Sequence, residues 1–146
     1  MRGLDSDTIL MLNADVEYIG SSLLSNCELV ETINIPESVL AIGSNAFSEC
    51  YSLKNITLPP NLEYIGIGAF SYCESLTELN IPSGVTAIEP MAFAYCTNLT
   101  EIEIPEGIEY IPEALFGACT SLTGITIPNS VVAIGPYAFV LCTSLN

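Results

Sequence analysis

The stretch from Cys50 to Phe70 reads C-Y-S-L-K-N-I-T-L-P-P-N-L-E-Y-I-G-I-G-A-F, a motif that recurs along the chain. Its cysteine is one of six that lie 23 residues apart, at Cys27, Cys50, Cys73, Cys96, Cys119 and Cys142. A fixed period of this length is typical of repeat proteins, in which each unit buries its apolar face only against its neighbours. The sequence therefore predicts a solenoid of stacked coils.

We number the repeat from its cysteine, which is position 1. Aliphatic positions 7 and 9 alternate with polar positions 6 and 8, which predicts a strand, and the proline at position 10 ends it because it has no N–H to donate. Aliphatic positions 13 and 16 predict a second short extended piece that faces the core. Glycine at position 17, as in Gly43, Gly66 and Gly135, predicts a turn with positive φ. Ala-Phe at positions 20 and 21 predicts one turn of helix whose phenylalanine fills the coil.

The repeat organises residues 1–146 as one solenoid domain. It consists of a divergent first coil at 4–26, five regular coils at 27–141 and a truncated seventh coil at 142–146. In coil 1, Leu4 replaces the cysteine, Asn13 the proline and Leu24 the phenylalanine. Solenoids normally close their ends with polar capping units, so we expect this chain to be a piece of a longer protein.

The pattern C-x-x-L-x-x-I-x-I-P-x-x-V-x-x-I-G-x-x-A-F resembles the BspA-like (treponemal-type) leucine-rich repeat family, closely over 27–146 and loosely over 4–26. The resemblance implies an α/β fold, a right-handed leucine-rich-repeat solenoid (horseshoe arc) of 23-residue coils. A parallel sheet would line one face, with short extended pieces and single helical turns on the other. Glu89 and Pro112 at the glycine position, and Leu115 at the alanine position, depart from the pattern and affect individual turns.

The resemblance also implies a function. Proteins of this family are commonly bacterial or protist surface proteins that bind host matrix proteins, so it implies a binding module in adhesion, at the cell surface or secreted. Residues 1–22 lack the basic start and apolar run of a signal peptide, so that location rests on the resemblance alone. The alternative is a structural spacer or scaffold region of a larger multidomain protein. An enzyme region whose active site lies in another segment is the third reading.

The chain is strongly acidic, with a net charge of −15, and Arg2 and Lys54 are its basic residues. Such a surface repels phosphate, which argues against nucleic acid and anionic membranes as partners. No apolar run approaches the ~20 residues of a membrane helix, so we expect no membrane insertion by this segment. The charge either keeps an apolar solenoid soluble or steers a basic partner, and the sequence leaves both open.

The residue types that carry most enzyme chemistry are missing or scattered. The chain has no histidine, which removes Ser-His-Asp and Cys-His arrangements, so we predict no catalysis and no cofactor. Zinc would need closely paired cysteines or histidine partners, so we predict no metal site. Equivalent side chains of stacked coils point the same way, which keeps Cβ atoms near the ~4.8 Å strand spacing rather than the ~3.8 Å of a disulfide. We therefore predict reduced cysteines in the core.

The outward positions 6 and 8 of the strands form the candidate ligand-binding surface. Stacking in register brings Glu78, Glu101 and Glu103 together into an acidic cluster. A shallow polar surface suits contact with a protein, such as a host matrix protein, or with a glycan better than capture of a small apolar ligand, and we expect a monomer. The candidate residues are Asn55, Thr57, Glu78, Asn80, Glu101, Glu103 and Thr126.

Position 15 alternates between tyrosine and alanine from coil to coil, and a glutamate precedes each tyrosine. The tyrosines are Tyr18, Tyr64 and Tyr110. One interpretation is the duplication of a pair of repeats, with each ring covering a neighbouring alanine. The other is an exposed Glu-Tyr stripe that docks a partner, since tyrosine is a common interface anchor.

Overall fold

The computed structural model describes residues 9–11 and 15–146, and the expectations for Leu4 and Asn13 lie outside them. The described residues form short strands and no helix. In chain order the strands are β1 (Ile9–Met11), β2 (Tyr18–Ile19), β3 (Thr32–Asn34), β4 (Ala41–Ile42), β5 (Asn55–Thr57), β6 (Tyr64–Ile65), β7 (Ala87–Ile88), β8 (Glu101–Glu103), β9 (Tyr110–Ile111), β10 (Gly124–Thr126) and β11 (Ala133–Ile134).

Strands at positions 6 to 8 build the first sheet, as the alternation of polar and aliphatic residues predicts. β1, β3 and β5 form one parallel ladder, and β8 and β10 form another. The register pairs equivalent residues of successive coils, as in Ile33 with Ile56, which confirms in-register stacking. Coil 4, residues 73–95, contributes an isolated bridge between Glu78 and Glu101 and no ladder with β5. The first sheet is therefore interrupted between coils 3 and 4.

Strands at positions 15 and 16 build the second sheet, which is interrupted at a different place. β2, β4, β6 and β7 form one parallel ladder, and β9 and β11 form a separate one. At intact places the residue at position 17 donates its N–H to the preceding coil, as Gly66 does to the Ile42 carbonyl at 2.8 Å. Coil 5 has Pro112 at this position, and proline has no N–H to donate. This departure from the repeat therefore removes the position-17 hydrogen bond between coils 4 and 5, where the ladder is interrupted.

Buried columns that run along the solenoid form its core. Phe47, Phe70, Phe93 and Phe116 are fully buried, and their neighbouring ring centroids lie 5.2 to 5.7 Å apart in stacked pairs. Each stacked pair contributes about 0.5–1.5 kcal/mol beyond the burial of its apolar area. The prediction that this phenylalanine fills the coil is confirmed. Leu115 is fully buried as well, so the core accommodates that departure from alanine.

The predicted single helical turns at Ala-Phe are wrong for the described coils. Alternate amides of this corner donate to the next coil rather than along their own chain, as Phe47 N–H does to the Ala69 carbonyl at 2.8 Å. Positions 19 and 23 have positive φ in every described coil, as in Asn45 (φ 55) and Glu49 (φ 60). Left-handed residues at this spacing turn the chain without the i to i−4 bonds of a helix. The corner is therefore a further set of hydrogen bonds between coils.

The prediction of positive φ at position 17 is also wrong. Gly43, Gly66 and Gly135 do not have positive φ, and among the described glycines Gly68, at position 19, does. Instead, the glycine at position 17 allows the preceding coil to approach closely. A Cβ on Gly43 would lie 2.7 Å from both the Ser21 nitrogen and the Tyr18 hydroxyl oxygen. A side chain there would push the two coils apart.

Candidate functional site

The outer face of the first sheet follows from the alternation along each strand. In β8, Glu101 and Glu103 are exposed while Ile102 between them is buried. Successive side chains of a strand point to opposite sides of the sheet, so the aliphatic positions enter the core and the polar positions remain in solvent. We call the outward residues of positions 6 and 8 the sheet face.

All seven residues predicted for this site are exposed on the sheet face. Six of them line one shallow recess of about 760 Å³, together with the strand residues around them, and Asn55 lies outside it. The recess spans coils 3 to 6 and includes the place where the first sheet is interrupted. The six are Thr57, Glu78, Asn80, Glu101, Glu103 and Thr126.

The acidic cluster lies within this recess. Glu78 and Glu101 are bridge partners in adjacent coils, and Glu103 lies two residues further along β8, opposite Thr126 of β10. Lys54 forms its ion pair elsewhere, with Glu31 at 3.2 Å. The three carboxylates therefore face solvent without that lysine beside them, and a cationic group of a partner would reduce their mutual repulsion.

The cysteine column is structural. All six cysteines are free, and all except the partly exposed Cys142 are buried, which confirms the prediction of buried thiols. Each thiol from Cys73 onward donates to the carbonyl of the phenylalanine 26 residues earlier, as Cys96 Sγ does to Phe70 O at 3.2 Å. Burial raises the pKa of the Cys96 thiol well above its ordinary value, so it stays protonated and is a poor nucleophile or metal ligand. No cluster of potential metal ligands occurs among the described residues.

The position-15 tyrosines lie on the second sheet and alternate with alanines in its ladder, as Tyr18 pairs with Ala41. Tyr18 and Tyr110 are about half exposed, at 54% and 49%. The Tyr18 hydroxyl lies over Gly43 of the next coil. In the coil after Tyr64, Glu89 occupies the position equivalent to Gly43, and partial burial together with that negative charge raises the pKa of Tyr64. The rings therefore lean over the next coil and also present a face to solvent.

One exposed feature was missed by sequence reasoning. Tyr72 and Tyr95, both at position 23, stack with ring centroids 4.4 Å apart. Beside them the Tyr51 hydroxyl donates to Glu49 Oε2 at 3.3 Å. The signal was present in the sequence, because tyrosine repeats at the 23-residue period there. The 23-residue pattern assigns position 23 to neither the core nor a strand, so it predicts no role for these rings.

The family model for the BspA-type leucine-rich repeat region matches residues 12–146 in six copies. The chain belongs to this family. Leucine-rich repeat families are typically non-enzymatic binding repeats, and the fold is consistent with a protein-interaction module. No helix of the described residues is long and apolar enough to cross a membrane.

Solved structures of bacterial leucine-rich repeat proteins are similar to this chain. A leucine-rich repeat protein from Bacteroides ovatus is 34% identical, with a TM-score of 0.73 over 92% of this chain and 41% of its own. A leucine-rich cell surface protein from Faecalibacterium prausnitzii is 32% identical, with a TM-score of 0.78 over 82% of this chain and 32% of its own. The Treponema pallidum leucine-rich repeat protein, 24% identical with a TM-score of 0.75 over 97% of this chain and 79% of its own, shows the fold alone.

This chain covers only part of the length of these solved proteins, which limits what can be inferred from them. The chain spans about two fifths of the Bacteroides protein and a third of the Faecalibacterium protein. Among curated proteins, none matches the chain. The activities and partners of whole proteins are therefore matters for proposal.

Proposed function

We propose that this chain is a non-enzymatic protein-binding module of a cell-surface adhesion protein, and that it binds through the sheet face. The observation that carries the proposal is the recess of about 760 Å³, which six of the predicted residues line with short polar and acidic side chains. Broad, shallow and wettable surfaces of this kind suit contact with a macromolecule. The proposal retains the right-handed horseshoe arc that the family implies, with the sheet face on its concave side.

The cell-surface location has support from the neighbours' descriptions. The Faecalibacterium protein is described as a leucine-rich cell surface protein. The partner class we propose is an extracellular-matrix protein of a host. The negative charge of the chain favours a basic region of that partner, because complementary charge accelerates association.

Steric blocking of the sheet face tests this function. The double variant Thr57→Tyr/Asn80→Tyr places two rings in the recess, and Asn61→Tyr/Ser83→Tyr places two rings at exposed positions of the same coils outside it. Binding to a panel of purified matrix proteins and to a glycan array is measured by surface plasmon resonance. We expect a matrix protein to bind the wild type and the control, and to bind the blocked variant about tenfold or more weakly.

Three results would count against the proposal. Binding of a glycan and no protein would replace the partner class. Equal binding by both double variants would place the contact outside the recess. No binding at all would favour the spacer reading of this region.

A further inference from the structure

A second recess lies on the other sheet, where its ladder is interrupted. At intact places the position-17 amide donates to the position-16 carbonyl of the preceding coil, as in Gly43 to Ile19 at 2.8 Å and Gly135 to Ile111 at 2.7 Å. Pro112 has no such N–H, so the Ile88 carbonyl lacks this donor. The missing hydrogen bonds leave an opening between coils 4 and 5 at the surface of the second sheet.

We call this opening the coil 4–5 groove. It is a recess of about 570 Å³ with an apolar floor and a mixed acidic and aromatic rim. Its apolar lining is the half-buried Ala87 together with the buried residues Ile88, Ile108 and Pro112. The remaining groups that bear on recognition are Glu89, Glu109 and Tyr110.

The rim has the chemistry of a cation site. Glu109 is exposed and Glu89 half-buried, so both carboxylates reach solvent at the groove. The Tyr110 hydroxyl lies over Gly135 of the following coil, and the ring is about half exposed. An aromatic ring face attracts a cation, and Lys54 is not among the residues that line the groove.

The apolar floor of the groove favours a cation that carries an aliphatic chain. A small inorganic ion gains nothing from apolar surface, whereas lysine and arginine lay an aliphatic stem along such surface and keep the charged head in a polar environment. We propose that the coil 4–5 groove binds a lysine or arginine side chain of a basic protein partner. The site is separate from the sheet face, because it lies on the second sheet and shares no residue with the first recess.

The repeat supplies an internal comparison for this site. The Glu-Tyr pair of the groove recurs in coil 3 as Glu63 and Tyr64, but the ladder to the preceding coil is intact there, since Gly66 donates to Ile42. The pair is therefore present in both places, whereas the position-17 hydrogen bond to the preceding coil is present in coil 3 and missing in coil 5. A cation attracted merely by exposed glutamate would bind both places alike.

Nuclear magnetic resonance titration of the ¹⁵N-labelled chain tests the site. The probes are Nα-acetyl-lysine methylamide and Nα-acetyl-arginine methylamide, with uncharged Nα-acetyl-norleucine methylamide as the apolar control, at about 150 mM salt to screen exposed charges. We expect saturable shifts of the Ala87, Gly107 and Tyr110 amides with at least one cationic probe and none with norleucine. Shifts spread over acidic residues of all coils, or equal shifts with norleucine, would overturn the proposal.

Two double variants with the same change in charge complete the test. Glu89→Gln/Glu109→Gln removes both carboxylates of the groove, and Glu17→Gln/Glu37→Gln removes two exposed carboxylates from coils 1 and 2. We expect the groove variant to weaken binding of the cationic probe about fivefold or more, and the control to change it by less than about twofold. Equal weakening by both variants would show that net charge alone attracts the probe. Unchanged spectra away from the substitutions show that both variants are folded.

Discussion

The surface sheets and the buried columns of this solenoid behave differently at coil 4. The first sheet is interrupted before this coil and the second sheet after it, whereas the phenylalanine stack passes from Phe70 through Phe93 to Phe116 at an even 5.7 Å. The recess on the sheet face and the coil 4–5 groove each include one of the sheet interruptions. The comparison indicates that side-chain columns hold successive coils together, so the strands are free to open where a surface recess forms.

Removing a ring from the stack at coil 4 should have the largest effect. Phe93→Ala should lower the free energy of unfolding by about 3–5 kcal/mol, because the ring is fully buried between two others. Phe139→Ala should cost less, since Phe139 is only partly buried and its stacked neighbour is Phe116. Denaturant unfolding followed by circular dichroism measures both. A smaller loss for Phe93→Ala than for Phe139→Ala would contradict the role assigned to the columns.

The cysteine column should make stability fall at high pH. Burial raises the pKa of Cys119 to about 12 from its ordinary 9.0, so between these values the unfolded chain loses a proton that the folded chain keeps. Stability is fully present below pH 9 and is lost as the pH rises towards 12. Each such thiol contributes a slope of about 1.4 kcal/mol per pH unit in this window.

Two alanine variants isolate that contribution from tyrosine ionisation, which all forms share. Cys119→Ala should reduce the slope of stability against pH by about 1.4 kcal/mol per unit. Cys142→Ala should reduce it less, because this thiol is partly exposed. Urea unfolding under reducing conditions, at pH values from neutral to strongly alkaline, gives the slopes. Identical slopes for the wild type and Cys119→Ala would show that the thiol is not buried in the folded protein.

Restoring a backbone N–H at residue 112 tests whether proline interrupts the second sheet between coils 4 and 5. Pro112→Gly supplies the missing N–H, and the hydrogen bond gained, about 0.5–1.5 kcal/mol, is offset by about 0.4–1 kcal/mol from the more flexible unfolded chain. We therefore expect a small change in stability and a new amide that exchanges with solvent as slowly as that of Gly66. Hydrogen exchange monitored by nuclear magnetic resonance reads both amides in one sample. Fast exchange at residue 112 would mean that proline is not what separates β7 from β9.

An outward residue of the sheet face should contribute least to stability. Thr57 is exposed in β5, so its side chain lies in solvent rather than in the core. Thr57→Ala should change the free energy of unfolding by less than about 0.5 kcal/mol. A loss comparable with that of Phe93→Ala in the same denaturant melt would mean that inward and outward positions have been exchanged.

The 23-residue pattern was sufficient to predict the features of the fold that depend on a side chain repeated in every coil. Ile33, Phe47 and Cys50 occupy the buried places expected of them, because a periodic apolar residue in a solenoid has only the neighbouring coil to pack against. The sheet face was accessible to the same reasoning, since the polar partner of each inward residue must point outward.

The backbone between these positions was not predictable from the pattern. Gly43 suggested positive φ, but its requirement is the close approach of coil 1, which a single repeat does not reveal. Non-glycine residues such as Tyr72 and Ala118 occupy the left-handed positions instead, so composition gave no signal for them. Predicting the effect of Pro112 on the second sheet would require knowledge of the hydrogen-bond partner at that position. The break of the first sheet between coils 3 and 4 has no such residue to explain it.

The most direct test of the role of the sheet face is the rate at which the tightest-binding matrix protein associates with this chain. It is measured at about 20 and about 300 mM salt for the wild type, for Glu78→Gln/Glu101→Gln/Glu103→Gln and for the control Glu17→Gln/Glu28→Gln/Glu37→Gln. Exposed charges act mainly on association rate and its salt dependence. The account predicts slower association and a flatter salt dependence for the sheet-face variant, with the control close to the wild type. Equal rates and equal salt dependence for all three proteins would contradict it.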